Sequence, residues 1–408
     1  MHVLLWAEDS EAELRAELAQ AGAGAEAACA PTIAPPPGGL IAPWTGARLG
    51  RLPCLSFARQ LLPEAVPVRA GSVREWAGLV VEAVAGVVPD DQPWSLHVEP
   101  RYGERGLHRI GARAWHSASK GWSEAVPEVN AGQGTRQPEA DAGRNRCRLV
   151  RETALELLQK KRRYLLRRLR AVPAPFTEGD SLVQVLLTAP EAGFISVALA
   201  PFPFAQRHLV SPFPRGEVPV AVDKAAPSRA FAKLVEAERR LGRSIQRGET
   251  CVDLGAAPGS WSYVAVARGA RVIAVDRAPL REDLLRNPHV QFQAGDAFRF
   301  RPERPVNWLL CDVIAAPERS ADLLLEWLRR GWCRHFVVSL KAGKAHLGAG
   351  QGTGVEAVAR LKRELPALTS ELFLSRLCAN KHEVCAFGAA RGGGDTDCTD
   401  FHGGYSNG

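Results

Sequence analysis

The chain has no Cys-x-x-Cys pair, no Gly-x-Ser-x-Gly turn and no apolar run approaching the ~18 residues of a membrane span. Each absence removes a class. Nine cysteines are scattered from Cys29 to Cys398, an odd number without ligand spacing, which argues against a disulfide framework and against zinc. The ten histidines show no ligand spacing either, so no metal is expected. Without a nucleophile elbow there is no sign of a hydrolase. The opening MHVLLWAEDSEAEL lacks a basic n-region and turns acidic by Glu8, so it predicts no signal peptide. No membrane partner and a cytoplasmic location are expected.

What is present sets the rest. A chain of 408 residues exceeds one ordinary domain, and 46% hydrophobic residues suffice to fill a core. The net charge of +8 suits a polyanionic partner, because Lys and Arg that neutralise phosphates release counterions.

The first half reads as mixed α and β. His2–Trp6 predicts a strand, Ser10–Ala21 a helix and Pro31–Pro43 a Pro/Gly-rich linker. Strands are then expected at Pro53–Phe57, Val66–Val68 and Trp94–Glu99, with a helix over Ser72–Val87. Ser117–Arg146 is polar and aperiodic and reads as a loop insertion. A helix over Arg148–Leu169 carries an apolar face of Leu155, Leu158, Leu165 and Leu169. Its second half holds Lys160, Lys161, Arg162, Arg163, Arg167 and Arg168 with no acidic residue between them. Most such runs are solvated faces; the alternative is a phosphate-contacting stripe, with Tyr164 stacking or packing. Leu182–Thr188 and Phe194–Leu199 read as two further strands.

From Thr250 short apolar strands alternate with helices, at TCVDLG, RVIAVD, VQFQ, VNWLLCD and HFVVSLK. That alternation predicts a parallel sheet covered on both faces. A later pair, near Glu371–Leu377 and Glu383–Phe387, is placed to finish the sheet antiparallel, and the Gly-rich tail from Arg391 reads as loose. The expected fold class is therefore α/β, a Rossmann-like doubly wound domain preceded by an α+β region. The division drawn from the sequence is a small α/β segment with its linker over 1–50 and a region over 51–215 containing the insertion 117–146. A doubly wound domain over 216–390 and a tail over 391–408 follow.

The strongest local signal is Cys251-Val-Asp-Leu-Gly-Ala-Ala-Pro-Gly-Ser-Trp261, a buried strand entering a Gly-rich turn and then a helix. Gly255 and Gly259 let backbone approach a ligand, and the helix start offers unpaired N–H groups. Asp276 ends the next strand, where a carboxylate meets a ribose diol; Asp296 follows the third strand and is placed to hold an adenine edge. A dinucleotide site wants G-x-G-x-x-G, but here Ala257 and Ser260 stand at the second and third glycines, and Pro258 lacks an N–H donor. S-adenosylmethionine ranks above NAD, and hence a methyltransferase above an oxidoreductase.

Methyl transfer to a hydroxyl needs a base held neutral, an orienting group and charge control. Lys341 and Asp312 end successive strands, at the edge where ligands bind in such sheets. Lys233 lies on the helix entering the domain, and Glu383 begins a late strand. Trp261, Trp308, Trp327 and Trp332 are expected in the core.

The segments SRAFAKL, VDLGAAPGSW, VIAVD, GDAFRF, CDV, SLK and HEV, in this order, resemble the FtsJ-type RNA ribose 2′-O-methyltransferases. The resemblance implies a Lys–Asp–Lys–Glu tetrad at Lys233, Asp312, Lys341 and Glu383, with Lys341 as proton acceptor. It implies S-adenosylmethionine contacts at Ser228, Gly255, Ala257, Pro258, Gly259, Ser260, Trp261, Asp276, Asp296 and Asp312. The N-terminal half would be a THUMP-like RNA-binding region, and the substrate rRNA, in particular a cytidine of bacterial 23S rRNA or its precursor particle. The resemblance is dense from Ala226 to Lys341 and faint in the first half. Ser260 departs from the family's glycine, and the insertion 117–146 has no counterpart, which bears on the nucleotide more than on the reaction. Two rival readings keep the fold: a non-catalytic RNA-binding or ribosome-assembly factor, and an enzyme acting on another RNA.

Overall fold

The alternation of strands and helices appears directly in the computed structural model, which describes residues 1–7, 10–20, 35–42, 54–102, 138–170, 180–201, 209–341, 354–379 and 383–392. The chain divides into two units. The first comprises Met1–Ala225, Arg229–Ser244 and Leu374–Val384, the second Ala226–Ser228, Ile245–Phe373 and Cys385–Gly408.

In the first unit, β1 (His2–Trp6) lies between β2 (Gly39–Ala42) and β3 (Ala58–Leu62), antiparallel to both. Helix α1 (Glu11–Gln20) buries Leu14 and Leu18, and its Glu17 carboxylate accepts the N–H groups of Ser56 and Phe57. A second, four-stranded sheet has the order β4 (Val66–Arg69), β7 (Ala192–Ala198), β6 (Ser181–Ala189), β5 (Trp94–Pro100). Helix α2 (Val73–Val87) starts where Ser72 accepts the Glu75 N–H at 3.1 Å and Glu75 accepts the Gly71 N–H at 2.8 Å. Such a capping pair is worth about 1 kcal/mol. Trp76, Val80 and Val84 of α2 then meet Trp94, Val183 and Ile195 of the sheet in one core.

Three expectations for this half are corrected. Of the strand expected over Pro53–Phe57, the described residues 54–57 are not strand; pairing with β1 begins at Ala58, because 54–57 turn the chain into β3. The linker holds β2, whose Gly39 sits so close to Leu4 that an added Cβ would lie 2.8 Å from its carbonyl oxygen. The helix expected from Arg148 begins at Pro138: α3 runs Pro138–Lys161, so 138–146 is helix rather than loop. Its buried positions Gly143, Cys147, Val150, Ala154 and Leu158 keep helical spacing, but small residues carry most of it. The helix also breaks at Arg162 (φ −147°, ψ 51°) before α4 (Arg163–Arg168). The rest of the insertion, 117–137, and the tail from 393 lie outside the described residues.

The second unit is built on a seven-stranded sheet ordered β10-β9-β8-β11-β12-β14-β13. The strands are β8 (Thr250–Leu254), β9 (Arg271–Asp276), β10 (Val290–Ala294), β11 (Val306–Cys311), β12 (Cys333–Lys341), β13 (Thr369–Ser375) and β14 (Glu383–Ala390). From β10 to β12 all neighbours pair in parallel. Helices α6 (Ser260–Ala267), α7 (Glu282–Leu285), α8 (Pro317–Arg329) and α9 (Gly354–Leu368) alternate with these strands. Parallel strands covered on both faces need continuous apolar runs, and β8, β11 and β12 are buried nearly throughout. The chain moves outward from β8 to β10, then returns to β11 on the other side of β8. That reversal marks the carboxyl ends of β8 and β11 as the place where such sheets bind ligands. Trp261, Trp308 and Trp327 are buried as expected, whereas Trp332 is half-buried and packs edge-on to Trp327. Among the described residues no helix is long and apolar enough to cross a membrane, and no cluster of three His, Cys, Asp or Glu is placed to hold a metal.

Candidate active site

The turn after β8 reverses the chain through two left-handed glycines, Gly255 (φ +75°) and Gly259 (φ +106°). A side chain at Gly255 would place its Cβ 2.7 Å from Val313, and one at Gly259 would run into Leu284. Only glycine meets both the torsion and the space. Gly259 is the N-cap of α6, so the helix opens beside the turn without a side-chain cap.

Carboxylates hold this turn from two sides. Asp276, at the end of β9, accepts the Ala257 N–H at 3.0 Å and the Ala278 N–H at 2.9 Å. Asp253, on β8, accepts both the N–H (2.9 Å) and the hydroxyl (2.7 Å) of Ser262 in α6. Asp253 is 1% exposed, and burial pushes its carboxyl up to about 7. The two Ser262 hydrogen bonds oppose that rise, and the charges of Asp312 and Asp276 add to it. Asp253 is not among the candidate residues of the sequence, although an acid inside VDLG, in an otherwise apolar strand, is a signal for it.

Ser228 and Ser260 share a hydrogen bond between their hydroxyls at 2.7 Å. Asp296 accepts the Phe298 N–H at 2.9 Å and the Arg277 guanidinium at 2.8 Å, which hold it below the usual carboxylate range. Of the residues expected to meet cofactor, Gly259, Ser260 and Trp261 are buried, Trp261 with 2% exposure.

The four tetrad positions form two ion pairs. The Lys341 Nζ donates to Asp312 Oδ1 at 2.7 Å, joining the ends of β12 and β11 in the second unit. The Asp312 N–H donates to the Leu254 carbonyl at 3.2 Å, which ties this pair to the start of the cofactor-type turn. In the first unit, Lys233 of α5 (Phe231–Leu241) donates to Glu383 Oε2 at 2.6 Å, with both side chains largely buried. The desolvation of both charges offsets much of their attraction, so such a pair adds little net stability.

The basic stretch is solvent-facing as a whole. Lys160, Lys161, Arg162, Arg163, Arg167 and Arg168 are all exposed, while Leu158 and Leu165 are buried beneath them. Tyr164 is 52% exposed, with the guanidinium groups of Arg163 and Arg167 at 5.6 and 5.7 Å from its ring centre.

Comparison with known proteins gives a family match and several relatives. Residues 226–396 match the model of the FtsJ-like methyltransferase family. Three proteins named ribosomal RNA large subunit methyltransferase M are similar to the chain. That of Halorhodospira halophila is 37% identical over 207 residues, covering 50% of this chain and 56% of the relative. That of Thauera aminoaromatica is 39% identical over 154 residues, covering 36% and 42%. That of Xylella fastidiosa is 44% identical over 122 residues, covering 28% and 35%. The chain thus spans only about a third to somewhat over half of the length of these relatives.

Proposed function

We propose that this protein transfers a methyl group from S-adenosylmethionine to a ribose 2′-hydroxyl of ribosomal RNA, with a cytidine of 23S rRNA as the target nucleotide. The Lys341–Asp312 pair, at the carboxyl edge of the sheet next to the glycine turn, carries the reading.

The residues around the turn fit the cofactor. Glycines leave the backbone approachable, the start of α6 suits a carboxylate, and Asp276 suits a ribose diol. When bound, S-adenosylmethionine supplies an electrophilic methyl on a sulfonium. Asp312 fixes the Lys341 amine, and Lys341, in its neutral form, takes the proton of the attacking hydroxyl. The tetrad pattern of the resembled family adds Lys233 and Glu383 as its two further positions. Ser228, Ser260 and Asp296 complete the cofactor's surroundings.

The region before the methyltransferase domain serves as a THUMP-like RNA-binding part, with the domains divided near residues 50, 215 and 390. The exposed Lys160–Arg168 stripe contacts phosphates of structured RNA, in naked form or in a precursor particle of the large subunit. The enzyme works in the cytoplasm. The test is a methylation assay with labelled S-adenosylmethionine on rRNA from cells lacking the gene, followed by mapping of ribose methylation. Label at one 2′-hydroxyl of 23S rRNA is expected; label on another RNA would move the substrate, and none at all would leave an RNA-binding factor.

A further inference from the structure

Asp253 is a carboxyl group in an unusual position for a strand in a parallel sheet. It is 1% exposed, and its observed partners, the N–H and hydroxyl of Ser262, are both uncharged. The groups that face it electrically are acidic. Asp253 pairs in register with Ala274 of β9 and Leu310 of β11, so Asp276 and Asp312 stand two residues further along the two flanking strands. At ~3.3 Å per residue and ~4.8 Å between strands, the backbones of these acids lie about 8 Å from that of Asp253. Lys341 is engaged with Asp312, and the neighbouring Cys311 is a buried thiol whose ionisation is suppressed to about 12. Three carboxyls therefore converge on one turn, two at its rim and one beneath it, and the buried one lacks cationic compensation from these neighbours.

A buried acid so placed holds a proton unless a positive charge arrives nearby. A methyl donor of the sulfonium class brings that charge, and its thioether by-product does not. Ser262, at the start of α6, is already arranged to stabilise the anion once it forms.

Resting on the reading of this turn as an S-adenosylmethionine site, we propose that Asp253 is a positioning residue that distinguishes the charged cofactor from its neutral by-product. It releases its proton to solvent when S-adenosylmethionine binds and retains it when S-adenosylhomocysteine binds. The proton is regained from solvent after methyl transfer has removed the sulfonium charge. The cycle is balanced, because the hydroxyl's own proton leaves separately through Lys341. The ionised acid then tightens the turn through Ser262 only while the donor is present, which favours exchange of spent cofactor for fresh.

Calorimetric titration of the full chain in two buffers of different ionisation enthalpy, at pH 6 and pH 7, counts the protons. S-adenosylmethionine is expected to release about half a proton at pH 7, where a group titrating near 7 is half protonated, and more at pH 6. S-adenosylhomocysteine is expected to release none. Asp253→Asn is expected to abolish the release and to reduce the preference for the charged cofactor about tenfold. Equal proton counts for the two ligands, or release that persists in Asp253→Asn, would overturn the proposal while leaving the cofactor reading intact. Failure of both ligands to bind would remove the cofactor reading itself. Should Asp253→Asn fail to fold, the contrast between the two ligands in the unaltered protein decides the matter alone.

Discussion

Lys341 ends β12, Asp312 directly follows the neighbouring parallel β11, and the two meet through a 2.7 Å hydrogen bond between amine and carboxylate. The bond fixes where the amine nitrogen lies relative to the glycine turn, since the Asp312 N–H is itself tied to Leu254. Removing the amine while keeping the turn should therefore separate chemistry from binding. Lys341→Ala is expected to lower methyl transfer by at least 10²–10⁴-fold, the usual contribution of a general base, with cofactor affinity within a few-fold of the original. Lys341→Arg keeps the charge and the pairing but cannot give up its proton near neutral pH, so it should be equally inactive. Single-turnover assays beside calorimetry check both; parallel loss of activity and binding would make Lys341 a structural residue.

The buried Asp253 also sets a pH dependence of stability. Its folded value, about 7, lies above the ordinary carboxylate value. The folded form therefore holds more protons than the unfolded form between about pH 4 and pH 7. The stability it contributes is complete below about pH 4 and is lost as pH rises through 7. Asp253→Asn has no such loss, so it should gain on the original protein by on the order of a few kcal/mol from pH 4 to 7 and level off above. Urea unfolding at several pH values reads this difference. A gap independent of pH would mean that Asp253 is charged in the apo protein.

His97 gives the opposite sign in the first unit. Its ring is buried, Nε2 lies 3.1 Å from the Pro212 carbonyl, and desolvation drives its pKa from 6.5 to about 3. The carbonyl bond opposes that fall, and the charge of Arg151 adds to it. The unfolded chain takes up a proton that the folded chain refuses, so stability present above pH 6.5 is lost as pH falls toward 3. At pH 5 the loss is on the order of 2 kcal/mol. His97→Gln should remove this acid sensitivity, whatever it costs at neutral pH, when unfolding of the first unit is followed by hydrogen exchange.

How much of this was legible depends on what made each element form. β1, β8, β9 and β11 were visible because apolar runs bounded by turn residues have one solution in a covered sheet. β2 was hidden because its four residues follow Pro and Gly, and its pairing is specified by the close approach of Gly39 to β1 rather than by its own pattern. The start of α3 was hidden because Gly143 and Cys147, not leucines, make its buried face. The break at Arg162 leaves no trace in a run of good helix formers. In the site, the glycines and strand-end acids were readable by position. The distinct surroundings of Asp253, Asp276 and Asp296 were not, since partners such as Ser262, Ala278 and Arg277 are fixed only by the folded turns.

The basic stripe predicts a salt-dependent phenotype without a stability change. Lys160, Arg163 and Arg167 are exposed, so replacing all three by Ala should leave thermal unfolding nearly unchanged. If each contacts one phosphate, the slope of log affinity against log salt for rRNA fragments should fall by about 2–3. An unchanged slope would return the stripe to an ordinary solvated face. Tyr164→Ala distinguishes stacking from charge: loss of affinity with an unchanged slope would mean that a base rests on the exposed ring.

The glycine turn should fail by two separable routes. Gly259 has φ +106°, which strains any L-residue, and an added Cβ would meet the Leu284 side chain. Gly259→Ala is expected to destabilise the apo protein by about 1–3 kcal/mol and to weaken S-adenosylmethionine binding, since the turn and the start of α6 shift together. Trimming the obstacle in Gly259→Ala/Leu284→Ala relieves the contact but not the torsion. Relative to Leu284→Ala alone, the Gly259→Ala step should then cost less than it does in the original protein, yet remain destabilising. A step cost reduced to zero would assign the role of Gly259 to space alone, and an unchanged cost would assign it to backbone conformation alone; melting curves for the four proteins of this cycle decide between them.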